Sequence, residues 1–531
     1  MPIAKIDSSL CNGCGKCVDS CPEDVFRLNV DPIDAELLSP CAEGCPAGMS
    51  VRKYSYYIEM DMLDEAIEAI REYIPFPAVT GRICPHFCES KCARNELEGA
   101  VNINCLERFV ADRFLDEKAA PVKAIYLEKA AVIGSGPAGL SCAYYLCRKG
   151  YKVTVFEKHD VLGGMLRLGI PDFHLPRDVV DKQIQYLRDM GVQFRTGVEI
   201  GRDISFDEVM SEYGAAFIAI GTQVSRVASI EGGRDVDGLF GAFDFLRSVH
   251  LGEAVSVGKR VAVIGGGNVA MDAAMTLARK GAEEVSVISL EGWGKMPAFD
   301  KEIKAAQADG VNIFAGYGSK RILGENGKVT GLEFVACTQV TDKTGRFAPV
   351  FDESESRTIE VDQIYFAVGQ SVDSSGIPAG IERTPAGTIK ADSLTLETNV
   401  PGVFAGGDAV RPQDGAVVRS FAAGKKAAES IDRYLRGVDM REGRNNTVRV
   451  MHPPKDGIYP IPRRELEPGQ VFTETEARLE AQRCMTCGSR SEIVYPEDCM
   501  VCLYCERDCP QRAITVTPDR PGKRIAPWDL A

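Results

Sequence analysis

The sequence lacks the features of a membrane, secreted or nucleic-acid-binding protein. No stretch approaches the roughly 18 apolar residues that a membrane helix needs, and the N-terminal segment MPIAKIDSSLC has no long apolar core of a signal peptide. Basic residues are not in excess, since 62 Lys and Arg stand against 76 Asp and Glu, a net charge of −14. This balance disfavours nucleic acid and anionic membranes as partners. We expect a cytoplasmic protein that, at 531 residues, holds several domains.

Hydrolytic machinery is also absent, because the sequence shows no Ser–His–Asp set, no catalytic acid–base pair and no evident site for an organic substrate. Cysteine, by contrast, is abundant. Of 19 cysteines, ten lie before residue 106 and six after residue 483. So many thiols indicate a reducing compartment, and their spacing is typical of iron–sulfur ligands. The two ends together carry enough thiolates for four four-iron clusters.

Each end of the chain carries one half of a two-cluster bacterial ferredoxin motif. The halves are Cys11, Cys14, Cys17 and Cys21 before Pro22, and Cys499, Cys502, Cys505 and Cys509 before Pro510. In such ferredoxins the fourth cysteine of one half ligates the cluster of the other half. We therefore expect a split ferredoxin, in which Cys509 completes the N-terminal cluster and Cys21 completes the C-terminal one. Pairing of each half with another subunit is the alternative.

The residue pattern changes several times along the chain. Helical periodicity dominates from about residue 31, and a strand, glycine turn and helix pattern begins at 129 and returns at 259. Two such openings predict two dinucleotide-binding domains, the second inserted in the first. The expected segments are a ferredoxin half (1–30), a helical iron–sulfur domain (31–122), an FAD domain (123–255 and 375–440), a nicotinamide domain (256–374), a connector with a returning CxxC (441–490) and the second ferredoxin half (491–531).

The fold class predicted from these segments is α/β, with two Rossmann-like dinucleotide-binding domains, an α-helical iron–sulfur domain and a ferredoxin-like α+β domain made by both termini. The first nucleotide motif is Gly134-x-Gly136-x-x-Gly139, followed by an acid, Glu157, at the end of the second strand. Such an acid accepts hydrogen bonds from a ribose hydroxyl. Later, VFAGGDAV ends on Gly407 and Asp408 and resembles the second FAD fingerprint of flavoproteins with two dinucleotide-binding domains. We therefore assign FAD to the first site.

The second nucleotide motif is Gly265-x-Gly267-x-x-Ala270, with Asn268 inside it, a variant typical of nicotinamide sites. Strands that end on Gly221 and Gly369 are expected to link the two domains. A 2′-phosphate requires arginine, whereas a free 2′-hydroxyl requires a carboxylate. The second strand is followed by Glu291 and no arginine, which favours NADH over NADPH. No CxxC follows this motif, which disfavours a thioredoxin reductase.

Three stretches, LGGMLRLGIPDFHLPRDVV (162–180), KMPAFDKEI (295–303) and GRICP (81–85), closely resemble the glutamate synthase small-subunit family of FAD- and NAD(P)-dependent oxidoreductases. That family includes the electron-input half of dihydropyrimidine dehydrogenase. The resemblance implies FAD, a nicotinamide cofactor and two cubane clusters in a helical domain, with Gly164, Met165, Gly169 and Ile170 among the cofactor-binding positions. The two arginines that hold NADPH in the family fall at Leu290 and Glu291 here, a departure that again favours NADH.

The family's CxxC pair before the first helical cysteines is missing, but EARLEAQRCMTCG (476–488) resembles it in a displaced position. The resemblance then implies one cluster on Cys41, Cys92, Cys484 and Cys487, and a second on Cys45, Cys84, Cys88 and one further ligand. Family members often use a glutamate or glutamine there, which corresponds to Glu107. Cys105 is the alternative, and we prefer it because a thiolate is the better iron ligand.

Together these features predict an electron-transfer subunit that moves electrons between NAD(H), FAD and four [4Fe–4S] clusters. Its expected partner is ferredoxin or a subunit of a 2-oxoacid oxidoreductase, with electrons flowing to NAD⁺. The alternatives are a glutamate synthase small subunit, an electron-bifurcating NADH:ferredoxin oxidoreductase, and a redox-sensing scaffold that only retains its cofactors.

Overall fold

The computed structural model describes residues 4–7, 10–11, 16–29, 37–234, 236–412, 415–444, 449–450, 460–466, 469–500 and 502–516. These residues belong to two compact units. The first comprises Met1–Glu117, Val417–Ala422 and Arg441–Ala531, and the second comprises Lys118–Ala416 and Ala423–Met440. Both ends of the chain therefore contribute to one unit.

The N-terminal part of the chain contains short strands and the helices of the first unit. Its elements are β1 (Ala4–Ile6), α1 (Lys16–Ser20), β2 (Phe26–Asn29), β3 (Leu37–Leu38), α2 (Pro40–Gly44), α3 (Val51–Glu59), α4 (Leu63–Arg71), α5 (Pro77–Ile83), α6 (Phe87–Ser90) and α7 (Ile103–Arg113).

The central part alternates strands and helices in the way that parallel sheets require. Its elements are β4 (Lys129–Ile133), α8 (Pro137–Arg148), β5 (Lys152–Phe156), α9 (Met165–Leu168), α10 (Arg177–Met190), β6 (Gln193–Arg195), α11 (Phe206–Glu212), β7 (Ala215–Ile218), β8 (Val224–Ser225), β9 (Leu239–Gly241), α12 (Ala242–His250), β10 (Arg260–Ile264), α13 (Asn268–Arg279), β11 (Glu284–Ser289), α14 (Asp300–Ala308), β12 (Asn312–Ala315), β13 (Tyr317–Glu325), β14 (Lys328–Thr341), β15 (Phe347–Glu360), β16 (Gln363–Phe366), β17 (Gln370–Ser371), β18 (Val403–Ala405) and α15 (Val417–Leu435).

The C-terminal part is again short-stranded. Its elements are β19 (Arg449–Val450), α16 (Glu474–Ala481), β20 (Arg490–Ile493), α17 (Tyr504–Asp508) and β21 (Ile514–Val516), and 3-10 turns lie at Ala93–Glu96, Gly407–Ala409 and Pro496–Asp498.

The second unit is built on two five-stranded parallel sheets, with strand orders β18-β7-β4-β5-β6 and β12-β11-β10-β16-β9. Strands β4, β5 and β10 are almost wholly buried runs of small and β-branched residues, as expected when helices cover both faces of a parallel sheet. The whole second sheet lies in sequence between β7 and β18 of the first. The predicted insertion of one Rossmann-like domain in another is confirmed.

One predicted boundary is corrected by the structure. The sequence placed the start of the second nucleotide domain at residue 256, but β9 already pairs in parallel with β16 of the second sheet. Helix α12 follows it, and Ala242, Phe245 and Leu246 lie in the core between this sheet and α13. The strand was missed because it is only three residues long and has no glycine motif after it. Beside the second sheet, β13, β14 and β15 form an antiparallel meander.

The first unit contains a helical part and a small α+β part. Helix α16 begins with a capping box between Thr473 and Glu476, and buried Arg483 just after it donates to the carbonyls of Gly99 at 2.7 Å and Ala100 at 3.1 Å. These bonds hold the returning C-terminal segment beside the helices of the N-terminal part.

The α+β part is assembled from both termini. Strand β1 pairs antiparallel with β21, and β2 pairs antiparallel with β20. Its core includes Ala4 and Phe26 from one end and Ile514 and Val516 from the other. The predicted ferredoxin-like domain formed by the two termini is confirmed as a fold.

Candidate cofactor and cluster sites

The first glycine loop lies between β4 and α8. A Cβ on Gly134, whose φ is +102°, would lie 2.6 Å from the carbonyl oxygen of Ala219, and a Cβ on Gly139 would clash with the carbonyl oxygen of Gly134. Both positions therefore require glycine for packing. A Cβ on Gly136, in contrast, would approach protein no closer than 4.0 Å, so the backbone at this position is accessible to a ligand at the N-terminus of α8.

Glu157 lies where the sequence predicts, at the carboxyl end of β5. It is buried, and its Oε2 accepts hydrogen bonds from the backbone N–H of Ser135 at 3.0 Å and from the Ser135 hydroxyl at 2.6 Å. The same hydroxyl accepts from the N–H of Gly163 at 3.1 Å. Ser135 thus joins the acid, the glycine loop and the LGGM stretch. The sequence did not lead us to predict a role for Ser135, although its position inside the glycine motif could have indicated one.

The remaining predicted residues of the first site belong to the α9 segment and to the ends of two neighbouring strands. Gly164, with φ +52°, packs on Gly136, because a Cβ on Gly164 would lie 2.6 Å from the Cα of Gly136. It precedes α9, which Met165 begins, and Gly169 and Ile170 close α9 with N–H bonds to the Met165 carbonyl at 3.1 and 3.0 Å. Gly221, Gly407 and Asp408 follow the adjacent strands β7 and β18. Gly221, Gly407 and Asp408 therefore lie at the carboxyl ends of parallel strands, where this fold binds its ligands.

The second glycine loop repeats the first. A Cβ on Gly265 would lie 2.5 Å from the carbonyl oxygen of Ala367, the same relation that Gly134 has to Ala219. A Cβ on Gly267 would have no protein atom within 4 Å, and Ala270 is fully buried. Asn268 accepts from the N–H of Phe299 at 2.9 Å. The KMPAFDKEI stretch is therefore anchored on this loop.

Glu291 lies over the second glycine loop. Its Oε2 accepts from the hydroxyl of Ser289 at 2.9 Å, and a Cβ on Gly266 would lie 2.9 Å from the same oxygen. In the first sheet Ile133 pairs with Phe156, and Glu157 is the next residue. In the second sheet Ile264 pairs with Ile288, and the next residue is Ser289. Ser289 therefore occupies the position that Glu157 has in the first sheet. The carboxylate of Glu291 therefore reaches the loop from two residues further on.

Two short strands connect the nucleotide domains. Strand β8 pairs antiparallel with β17, and the N–H of Arg226 donates to the carbonyl of Gly369 at 3.0 Å. Gly369 has φ +103°, a left-handed conformation that favours glycine. It lies where the chain leaves the second sheet for the first, as its place at a strand end predicts.

The helical part brings one predicted cysteine set together. Cys41, Cys92, Cys484 and Cys487 line a single cavity, and all four are free thiols. Burial raises the pKa of Cys41 to about 12, and the nearby Cys484 and Cys92 raise it too, whereas Ser39 lowers it. Burial likewise raises the pKa of Cys484 to about 11. Four thiols around one cavity are a donor set that fits a [4Fe–4S] cluster, which takes four thiolates.

The second helical set contains Cys45, Cys84 and Cys88. Burial raises the pKa of the Cys84 thiol to about 12, and the charges of Glu107 and Cys45 raise it further. Burial also raises the pKa of Cys88, with Cys45 and Cys84 adding to the effect. These three thiols and the Glu107 carboxylate therefore lie close together.

This placement favours Glu107, although the sequence favours Cys105 as the fourth ligand. The two residues are two positions apart on α7, so they point to different sides of the helix. Glu107 is 5% exposed, accepts a hydrogen bond from the Thr80 hydroxyl and interacts with Cys45 and Cys84. Burial raises the pKa of Cys105 to about 11, and Glu89 raises it further, whereas Arg463 and Arg108 lower it.

The ferredoxin-like part gathers the terminal cysteines. Burial raises the pKa of Cys505 to about 12, and Cys502, Cys21 and Cys499 raise it further, so the predicted swapped set lies together. A chain of hydrogen bonds links Cys11 to Cys509. The N–H of Cys11 donates to the carbonyl of Asp7, and the N–H of Asp7 donates to the carbonyl of Ala513. The N–H of Ala513 in turn donates to the sulfur of Cys509 at 3.3 Å. Cys17 and Cys509 share one core. Cys14 lies outside the described residues.

Comparisons with known proteins agree with this geometry. The pyridine nucleotide-disulphide oxidoreductase profile matches residues 128–429, the dihydropyrimidine dehydrogenase domain II (4Fe-4S cluster) profile matches 37–119, and a 4Fe-4S binding domain profile matches 3–26. FprA of Mycobacterium tuberculosis, in a structure with NADPH, superposes with a TM-score of 0.51 at 19% identity, over 59% of this chain and 85% of that chain.

Relatives of similar sequence are oxidoreductase subunits. The NADP(+)-dependent formate dehydrogenase subunit beta of Moorella thermoacetica is 35% identical, over 85% of this chain and 70% of its own length. The glutamate synthase [NADPH] small chain of Escherichia coli is 32% identical, over 74% of this chain and 88% of its own length. The NADPH-Fe(3+) oxidoreductase subunit beta of Geobacter sulfurreducens is 34% identical over 77% of this chain. This chain spans 65% of the length of that protein, which is less than two thirds.

Fold and site together define an iron–sulfur flavoprotein oxidoreductase that uses a nicotinamide cofactor. The chain belongs to the pyridine nucleotide-disulphide oxidoreductase family, in the group that contains the glutamate synthase small chains. The resemblance drawn from the sequence is thereby confirmed. Among the helices of the described residues, none is long and apolar enough to cross a membrane.

Proposed function

We propose that this protein is an NADH-linked electron-transfer subunit, which carries electrons between NAD(H), FAD and four [4Fe–4S] clusters to or from a partner protein and works toward NAD⁺ reduction. The observation that carries the proposal is the gathering of cysteines from both ends of the chain in the first unit. The thiols of Cys41, Cys92, Cys484 and Cys487 line one cavity, and Cys21 lies with Cys499, Cys502 and Cys505.

The proposed ligand sets follow from these groupings. Each set holds one cluster: Cys41, Cys92, Cys484 and Cys487; Cys45, Cys84, Cys88 and Glu107; Cys11, Cys14, Cys17 and Cys509; Cys21, Cys499, Cys502 and Cys505. The returning CxxC belongs to the helical domain in this proposal. Hydrogen bonds of residues after 463 support that assignment, because Glu480 accepts from the N–H of Asn102 at 2.8 Å and the Arg464 carbonyl accepts from the Asn102 side chain at 2.8 Å.

Glu291 supports the choice of NADH. A carboxylate held over the second glycine loop by Ser289 can accept hydrogen bonds from a ribose 2′-hydroxyl and would repel a 2′-phosphate. The corresponding acid of the first site, Glu157, is held by Ser135 in the same manner. We propose these two carboxylates as the ribose-binding groups of NAD(H) and FAD.

When bound, FAD would exchange two electrons with a nicotinamide and single electrons with iron–sulfur clusters. The residues of the chain bind and position these groups. The N-termini of α8 and α13, each after a glycine loop, direct backbone N–H groups toward a pyrophosphate. Asn268 fixes the segment at Phe299 that follows the second loop.

A partner is proposed on two grounds. The sequence shows no site for an organic substrate, and the relatives named above include beta subunits of a formate dehydrogenase and of an Fe(3+) oxidoreductase. We propose that substrate oxidation takes place on another subunit, of the 2-oxoacid oxidoreductase type, or that ferredoxin delivers the electrons.

A second candidate is the same activity with NADPH, as in a glutamate synthase small chain. The names of the relatives favour it, since they specify NADP(+) or NADPH. The carboxylate of Glu291 beside the glycine loop argues against it.

Anaerobic purification and titration test the proposal. We expect about 16 iron atoms per chain, four for each cluster, and bleaching of the flavin by NADH at a much lower concentration than by NADPH. Preferential bleaching by NADPH would establish the second candidate. A fully loaded protein whose flavin neither nucleotide reduces would overturn both and favour a redox-sensing scaffold.

A further inference from the structure

Arg52 is a buried arginine beside the cysteines of the helical part. It is the second residue of α3 and is only 4% exposed, whereas arginine is rarely buried in proteins. Its Nη1 donates to the carbonyl oxygen of Cys487 at 2.9 Å. Gly488 makes room for the guanidinium, since a Cβ there would clash with Nη1. The guanidinium therefore lies directly behind one of the four thiols.

Arg52 also lines the cavity that Cys41, Cys92, Cys484 and Cys487 share. Burial lowers the pKa of Arg52, whereas the nearby groups of Tyr73, Cys41, Cys487 and Cys484 raise it. A second arginine, Arg94, also lines this cavity; its Nη1 contacts the Glu98 carboxylate and its Nε donates to the carbonyl of Arg483. A buried charge acts over a low local dielectric, so Arg52 affects this site more strongly than a surface cation could.

We propose that Arg52 raises the reduction potential of the cluster on Cys41, Cys92, Cys484 and Cys487. The inference rests on the proposed function, which places a cluster on these thiols. Reduction adds one electron and hence one negative charge to the cluster. A nearby positive charge stabilises the reduced form more than the oxidised form, and charge and hydrogen bonds around a cluster are the means by which a protein sets its potential.

The test is a potentiometric titration of the purified full-length protein, with each cluster followed by its electron paramagnetic resonance signal and with iron content measured in parallel. Arg52→Gln removes the charge and keeps an N–H donor for Cys487. At a fixed solution potential, we expect the reduced-to-oxidised ratio of one cluster to fall at least tenfold. For a one-electron couple this corresponds to a reduction potential that is lower by about 59 mV. Arg52→Lys keeps the charge and should stay near the wild-type potential.

Lys53→Gln is the matched control, because Lys53 is the next residue on α3 but is paired with Glu72 at 3.4 Å near the surface. Solvent screens its charge, so all potentials should remain unchanged. Full iron content with unchanged potentials in Arg52→Gln would overturn the inference while leaving the proposed function intact. Cluster loss in either variant would show that Arg52 is needed to hold the site together, and would overturn a role confined to the potential. Wild-type protein without a cluster signal would instead refute the proposed function.

Discussion

The Nε2 atom of His174 lies 3.0 Å from the Oε2 atom of Glu302. The histidine lies in the loop between α9 and α10, which belongs to the first nucleotide domain, and the glutamate lies on α14 of the second. Asp272 on α13 completes the contact, with Oδ1 3.2 Å from the same nitrogen. The two stretches that carry the family resemblance, 162–180 and 295–303, thus meet in an ion-paired group that joins the two domains.

This group predicts a pH-dependent stability of the second unit. Burial lowers the pKa of His174, but Asp272 and Glu302 overcome that effect and raise it to about 9, from an ordinary value of 6.5. The stability that the protonated ring contributes is therefore fully present below about pH 6.5 and is lost as the pH rises through 9. His174→Gln should lower the free energy of unfolding by about 1–3 kcal/mol at pH 7 and by much less at pH 10, measured by denaturant titration with flavin release as readout.

His174→Arg is the control for that prediction. The guanidinium stays charged throughout this pH range, so the variant should not show the loss of stability between pH 8 and 10 that the histidine causes. If wild type and His174→Arg lose stability in parallel over that range, the histidine is not the titrating group.

Glu291 predicts the nucleotide preference. Glu291→Arg removes a carboxylate that Ser289 holds over the glycine loop and supplies a cation for a 2′-phosphate. The ratio of flavin reduction rates with NADPH and NADH should rise by about 10- to 100-fold, which corresponds to 1.4–2.7 kcal/mol. Glu283→Arg is the matched control at the opposite end of the same strand, where Glu283 pairs with Lys259 at 2.8 Å in solvent, and it should leave the ratio unchanged.

The sequence predicted the elements whose chemistry requires particular residues at particular spacings. The glycine loops at Gly134 and Gly265 and the ferredoxin halves are of this kind, and each lies where its motif indicates. Strand β9 was assigned to the wrong domain because a three-residue strand carries no periodicity. Arg52 and His174 could not be found from local pattern, since their partners lie 435 residues away and 128 residues away respectively and only the fold brings them close. The choice between Cys105 and Glu107 depended on helix rotation, which spacing alone left open.

If the proposed split ferredoxin is right, a change at one end of the chain disturbs a cluster bound mainly by the other end. Cys509→Ser should weaken or remove the cluster of Cys11, Cys14 and Cys17, with a loss of up to about four iron atoms, because Ala513 and Asp7 connect these segments. Iron analysis and the signals of the individual clusters measure the effect. Cys337→Ser, a cysteine on β14 of the second unit, should leave the iron content unchanged. Intact spectra in Cys509→Ser would show that each half pairs with another subunit.

The fourth ligand of the proposed second helical cluster gives the sharpest choice between two residues. Glu107 is buried beside Cys45 and Cys84, whereas Cys105 faces Glu89 and Arg463 on another side of α7. Glu107→Ala should therefore remove or convert one cluster, while Cys105→Ala should leave all of them, as judged by iron content and low-temperature electron paramagnetic resonance. Glu107→Cys, which offers the thiolate that iron prefers, should retain the cluster with an altered signal. Loss of a cluster in Cys105→Ala with retention in Glu107→Ala would restore the assignment that the cysteine count favours.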